Sequence, residues 1–234
     1  ARSARGDGDE LGWEGDPLCA LPSAVTSTFK GYETLELTSE LLAISAEQGS
    51  GKDQALAEEL SAAGGPVKGR LVLKETPFYP EGGGQVGDKG ILTSEDGAVF
   101  HVHDTKKGTG GMIVHVGELV NGTIRRGQTL TANVDQDLRL DTARNHTATH
   151  LLHKALRSVL GAHVDQAGSL VDPHKLRFDF THFQHMTPEE IKAVEDQVNA
   201  QIFAPHQIET FYSSIKEAKE MGATALFGEK YGEV

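Results

Sequence analysis

The run Arg144-Asn145-His146-Thr147-Ala148-Thr149-His150-Leu151-Leu152-His153 opens a helical pattern that continues to Gly161. Leu151, Leu152, Ala155, Leu156 and Val159 recur at helical spacing and form one apolar stripe. His146, His150 and His153 fall on roughly the opposite side. Residues four apart project from one face a turn apart, so His146 and His150 can converge on one ion. Imidazole suits zinc, and HxxxH on a helix is a recurrent zinc half-site. His153 stands roughly 10 Å along the axis from His146, too far to share that ion. The plain alternative is a row of surface or hydrogen-bonding histidines. Position 147 is Thr, where a zinc protease of the HExxH kind carries its Glu base, so protease chemistry is not expected.

On the N-terminal side of this run the periodicity shifts towards two. Between Arg70 and Val134 the segments Leu71–Leu73, Gly90–Leu92, Val99–His103, Met112–Val116 and Thr129–Val134 read as short strands. Asn121-Gly122 and Arg126-Gly127 mark turns between them. Many short strands without a long helix indicate a compact barrel or strongly twisted sheet. His101, His103 and His115 are expected on strand surfaces, with 101 and 103 on one face. Within this half lies Thr76-Pro77-Phe78-Tyr79-Pro80-Glu81-Gly82-Gly83-Gly84-Gln85-Val86-Gly87-Asp88. Its glycine triplet is either a permissive hairpin loop or a backbone that lets a ligand or RNA end come close.

Further upstream, Phe29–Glu36 reads as a short strand, Gly49-Ser50-Gly51-Lys52 as a turn and Asp53–Ala63 as a short helix. Gly51-Lys52 lacks the upstream glycine of a phosphate loop. Residues 1–28 are rich in Gly, Asp and Ser and read as a lead-in or linker, with Trp13 as a docking point.

On the C-terminal side, His163–Val171 and Lys175–Phe180 read as a hairpin. Thr187-Pro188-Glu189-Glu190 is a capping box that starts a helix through about Phe203, with Ile191, Val194, Val198, Ala200 and Ile202 apolar. Gln207–Tyr212 reads as a strand and Ser214–Met221 as a helix stopped by Gly222. Helix, hairpin, helix, strand, helix is the order of an α+β two-layer core.

Composition sets outer bounds. The 234 residues are 38% hydrophobic and 24% charged, ordinary for a soluble globular chain. No apolar run is long enough to span a membrane, and the N-terminus has no secretory h-region. Cys19 is the only cysteine, which fits a reducing, cytoplasmic setting. A net charge of −12 argues against gripping nucleic acid by bulk electrostatics. Lys68-Arg70-Lys74, Lys106-Lys107 and Arg125-Arg126 are local basic clusters, read first as solvated patches.

Five stretches together resemble the editing region of alanyl-tRNA synthetase, shared with free-standing alanyl-tRNA editing proteins. They are Phe78–Asp88, His146–His153, Gln166–Val171, Leu176–Phe180 and Ala225–Tyr231. Threonyl-tRNA synthetase has a related editing fold, but the glycine triplet and the Phe-Gly-Glu-Lys-Tyr ending are those of the alanyl family. The element order reads as an α+β protein: a lead-in or linker at 1–28, a small β-barrel-like domain at 29–136 with the glycine loop, and at 137–234 a two-layer α/β core, which the resemblance, covering the chain from about Phe29, makes an editing core of the threonyl/alanyl-tRNA synthetase type. The resemblance implies a hydrolase that removes serine or glycine wrongly esterified to alanine tRNA. The rest of a synthetase chain would supply ATP-dependent aminoacylation. A free-standing deacylase and a non-catalytic tRNA-binding module are the alternatives.

By the same resemblance, Thr149, Gln166 and Ser169 line the catalytic pocket, and Gly82, Gly83, Gly84 and Gln85 cover the tRNA end. Zinc would be held by His146 and His150 together with a Cys and a His of a downstream CxxxH. This sequence contains no CxxxH, so two of four ligands carry over, and Cys19 lies in the wrong part of the chain. Zinc is therefore expected to be absent or weakly held by this chain, which reads as a fragment of a larger synthetase, and hydrolysis by the fragment alone is expected to be weak or absent. Arg177 is either an ion-pair partner of Asp179 or a phosphate contact.

Overall fold

The computed structural model describes residues 17–21, 25–47 and 54–203. Trp13, the Gly49–Lys52 turn, the strand and helix expected beyond 206 and the Ala225–Tyr231 motif lie outside the described residues. The chain divides between Arg139 and Leu140 into two units.

The first unit is built of strands: β1 (Thr28–Phe29), β2 (Glu36–Glu47), β3 (Gln54–Ala57), β4 (Glu59–Ser61), β5 (Val67–Leu73), β6 (Glu75–Thr76), β7 (Gly90–Ser94), β8 (Val99–Lys107), β9 (Ile113–Asn121), β10 (Thr123–Arg125) and β11 (Thr129–Val134). The main sheet runs β11-β7-β8-β9-β5-β2-β3, and β11 also pairs with β2. That second pairing, Thr129↔Glu40 through Asn133↔Glu36, closes six strands into a barrel and removes its open edges. Period-two alternation fills the interior: Phe100 and Val102 of β8 point in, while His101 and His103 are exposed. Leu41, Ile44, Leu71, Leu73, Phe78, Leu92, Leu119 and Leu130 complete the core. A smaller cluster of Leu18, Ala43, Val72, Met112 and Val114 brings the short 3-10 helix Pro17–Ala20 onto the outside of the sheet.

Three expectations are corrected in this unit. Phe29–Glu36 is not one strand: Phe29 ends β1, a turn follows, and Glu36 begins the long β2. Residues 54–63 do not form a helix. Gln54–Ala57 pairs with Ile44–Glu47 and Glu59–Ser61 pairs with Thr123–Arg125, so available strand partners outweigh an Ala-, Leu- and Glu-rich local preference. His115 is not a surface residue but fully buried beside Phe78, with the ring centroids 5.1 Å apart.

Helix α1 (Gln136–Leu160) starts eight residues before the histidine run, capped by Asp135, whose carboxylate accepts the Leu138 amide at 3.0 Å. Its first residues belong to the barrel unit and the rest to the second unit. Gly161, at φ +115°, closes it in a conformation that favours glycine. The second unit continues with β12 (Gln166–Val171), β13 (Leu176–Phe180) and α2 (Pro188–Phe203). β12 and β13 form a hairpin whose turn is held by Asp172, which accepts the His174 and Lys175 amides at 2.7 and 2.9 Å. Ala155, Leu156, Val164 and Val194 are the buried centre, flanked by Leu152, Val159, Phe178, Phe180, Met186 and Val198. The capping box is made in full: Glu190 donates its amide to Thr187 Oγ1 at 3.2 Å, and Thr187 donates its own to the Glu190 carboxylate at 2.8 Å. Ile191, expected on the apolar stripe, is 46% exposed. Among the described residues no helix is long and apolar enough to cross a membrane.

Candidate functional site

In the barrel unit the glycine triplet is a tight turn. Gly82 and Gln85 exchange both backbone hydrogen bonds, at 3.0 and 3.1 Å, around Gly83 and Gly84 at φ +59° and +83°. Two positive φ values in succession are those of a type I′ turn, which glycine meets without strain. Gly83 has open space where a Cβ would stand. The loop's base is clamped by Asp88 and Arg139, both buried. Arg139 Nε donates to both Asp88 carboxylate oxygens at 2.8 Å, and its terminal nitrogens donate to Pro77 O at 2.8 Å and Gly31 O at 3.2 Å. Asp88 also accepts the Tyr79 amide at 2.6 Å and donates its own amide to Tyr79 O at 2.9 Å. Burial pushes the Asp88 carboxyl above its ordinary value, against the opposing pull of Arg139 and Tyr79. Neither clamp residue stood out in the sequence, although Asp88 closes the quoted glycine stretch.

Behind the loop, His115 Nδ1 donates to Leu71 O at 3.0 Å, and Thr76 Oγ1 donates to His115 Nε2 at 2.8 Å. Thr76 Oγ1 in turn accepts the Phe78 amide at 3.1 Å. Each basic cluster of this unit has a cation paired with an acid. Lys106 reaches Glu81 and Asp104, Lys74 reaches Glu40, and Arg125 and Arg126 reach Glu59 and Glu58, all within 3.8 Å.

In the second unit, the His146 and His150 rings stack with centroids 5.2 Å apart and planes 20° from parallel. Both pKa values are lowered, first by burial and then by a neighbouring imidazole, His150 for His146 and His153 for His150. His153 departs from expectation: it packs on Phe178 of the hairpin, centroids 5.0 Å apart, and its Nε2 is buried without a hydrogen bond. Thr149 is buried, with its hydroxyl turned back to Asn145 O at 2.9 Å. Asn145 donates its side-chain amide to Asp172 O at 2.8 Å, tying α1 to the hairpin turn. On β12 the Gln166 side-chain amide donates to Ser169 Oγ at 3.1 Å, so these two are brought together. Arg177 pairs with Asp179 at 3.1 Å. The sequence reading passed over His163 and His182, whose Nε2 and Nδ1 meet at 2.9 Å.

The His146–His150 pair fits zinc in kind and in part. Neutral imidazoles one turn apart are suitable donors, and lowered pKa values keep them neutral. No group of three or more ligating residues occurs among the described residues, so the pair supplies half a tetrahedral set.

A closed barrel with a clamped glycine turn, followed by a helix bearing HxxxH, is the setting for the comparisons with known proteins. Residues 14–138 match the family model of class II tRNA synthetases (A), and the chain belongs to that family. Its relatives narrow this. The chain is 51% identical over 222 residues to the alanine–tRNA ligase of Acetivibrio thermocellus, covering 95% of this chain and 24% of that protein. It is 50% identical over 233 residues to the alanine–tRNA ligase of Clostridioides difficile, and 46% identical over 234 residues to that of Alkaliphilus oremlandii; these cover 25% and 26% of the relatives. The chain thus spans about a quarter of the length of the relatives it matches. The resemblance noted from motifs is borne out at the level of the alanine–tRNA ligases.

Proposed function

We propose that this chain is the editing portion of an alanine–tRNA ligase and hydrolyses the ester that joins serine or glycine to the 3′ end of alanine tRNA. The observation that supports it most is the stacked His146–His150 pair on α1, whose neighbour Asn145 is bonded to the same hairpin that presents Gln166 and Ser169. The need for such a site is physical. A synthetic pocket shaped for alanine cannot strongly reject glycine, which is smaller, and one extra hydroxyl discriminates weakly.

His146 and His150 would hold a zinc ion, which when bound supplies Lewis-acid polarisation of the ester. Gln166 contributes a side-chain carbonyl acceptor and an amide held by Ser169, a pairing suited to orienting a water molecule or the substrate amine. Thr149, with its hydroxyl satisfied within α1, offers a small wall that limits the size of the bound aminoacyl group. In the barrel unit the open side of Gly83 admits a close-lying RNA backbone, and the Asp88–Arg139 clamp keeps that turn in place. Aminoacylation, ATP use and the remainder of the ligase are the partners this reading implies, in the cytoplasm.

The test is single-turnover release of amino acid from seryl-tRNA and alanyl-tRNA, with the chain in excess and zinc added. Serine released at least fivefold faster than background, with alanine left in place and Gln166→Ala slower than wild type, supports editing. Binding of tRNA without serine release would favour a non-catalytic module.

A further inference from the structure

The end of the hairpin that carries Gln166 also presents an aromatic ring to water. Phe183 is 87% exposed, and its ring lies on the His163 imidazole with centroids 4.6 Å apart and planes 26° from parallel. That imidazole is fixed. His163 Nε2 meets His182 Nδ1 at 2.9 Å, and Thr181 Oγ1 donates to His163 O at 2.9 Å while accepting the Asp165 amide at 3.0 Å. Thr181, Gln184 and His185, chain neighbours of Phe183, are exposed and polar, so among the described residues its ring is not part of an apolar run of the kind a protein or lipid covers. What is offered is one flat π face in polar surroundings, the kind of surface on which a nucleobase stacks with its polar edges in water. Its place is also specific. Gln166 pairs with Phe180, and the Thr181 amide donates to Asp165 O at 3.0 Å, so Phe183 stands just past the strand partner of Gln166.

We propose that Phe183, backed by His163, is a stacking platform for an unpaired base at the 3′ end of the RNA substrate, at the end of the hairpin that carries Gln166. This rests on the editing reading for the identity of the RNA. A single-stranded end swings freely, and one stacked base restrains it so that the ester stays within reach of a fixed group. Stacking is also a contact that a chain of net charge −12 can make without electrostatic attraction to phosphate.

The test uses the chain and a short RNA hairpin ending in unpaired CCA, with 2-aminopurine as the last base. Stacking quenches that fluorophore. Phe183→Ala is expected to weaken binding about tenfold and abolish the quenching, the scale of one base–aromatic stack. Phe183→Trp retains both, and Ile191→Ala, at another exposed apolar residue, changes neither. Phe183→Ala behaving as wild type, or no RNA binding by wild type, overturns the platform. Seryl-tRNA hydrolysis by the same preparations separates the two readings. Hydrolysis that persists without quenching removes the platform alone; quenching that depends on Phe183 without any hydrolysis removes editing and keeps the platform.

Discussion

Burial decides the chemistry of His115. Enclosed beside Phe78, the ring has its pKa pushed down to about 4 by loss of solvent, only partly opposed by its bond to Leu71 O. The folded state therefore prefers the neutral imidazole. Its contribution to stability is complete above the unfolded value near 6.5 and is lost as pH falls from there through about 4. The expected loss is about 3 kcal/mol, from a shift of that size at 1.36 kcal/mol per unit. Urea unfolding measured across that range should show it, and His115→Gln should flatten the slope; an unchanged slope would contradict the account. Arg139→Met should cost about 3–5 kcal/mol by stranding the buried Asp88 carboxylate, with much of that recovered in Arg139→Met/Asp88→Leu. Thermal unfolding of the single and double variants checks it. The sequence did not separate His115 from His101 and His103, because all three lie in strand-like alternation. The separating fact is tertiary: the stretch Ile113–His115 is buried throughout, with Leu18 packed into the cluster around Val114.

Elements were readable where local chemistry and tertiary contacts agree. The α2 capping box, the β12–β13 hairpin and the glycine turns fall where the residues place them, because each is satisfied by bonds within a few positions. Thr187→Ala should cost about 1 kcal/mol, read as a lower melting temperature. Gly84→Ala should cost about 1–2 kcal/mol, since φ +83° burdens any residue with a Cβ. A melting temperature unchanged in Gly84→Ala would show that the turn is not held as described. The long strand β2 was not legible for a definite reason. A bulge between Leu41 and Ala43 breaks its alternation, so Leu41, Ala43, Ile44 and Ser45 are all buried. The start of α1 was missed because Asp135 caps it ahead of the apolar stripe, in a first turn spent on the clamp rather than on packing.

At the scale of the whole molecule, motif content carried further than periodicity. The alanine–tRNA ligase kinship followed from a few motif stretches and the barrel from period-two alternation, whereas the Arg139 clamp and the His163–His182–Phe183 group emerge only when distant residues meet. Zinc titrated into the chain should bind weakly, since two imidazoles make half a set, and His150→Ala should abolish the binding that remains. The decisive measurement is serine release from seryl-tRNA by wild type, His146→Ala and His150→Ala under zinc, each verified as folded. Release by wild type that falls at least tenfold in both variants is predicted; equal rates in all three would contradict the account.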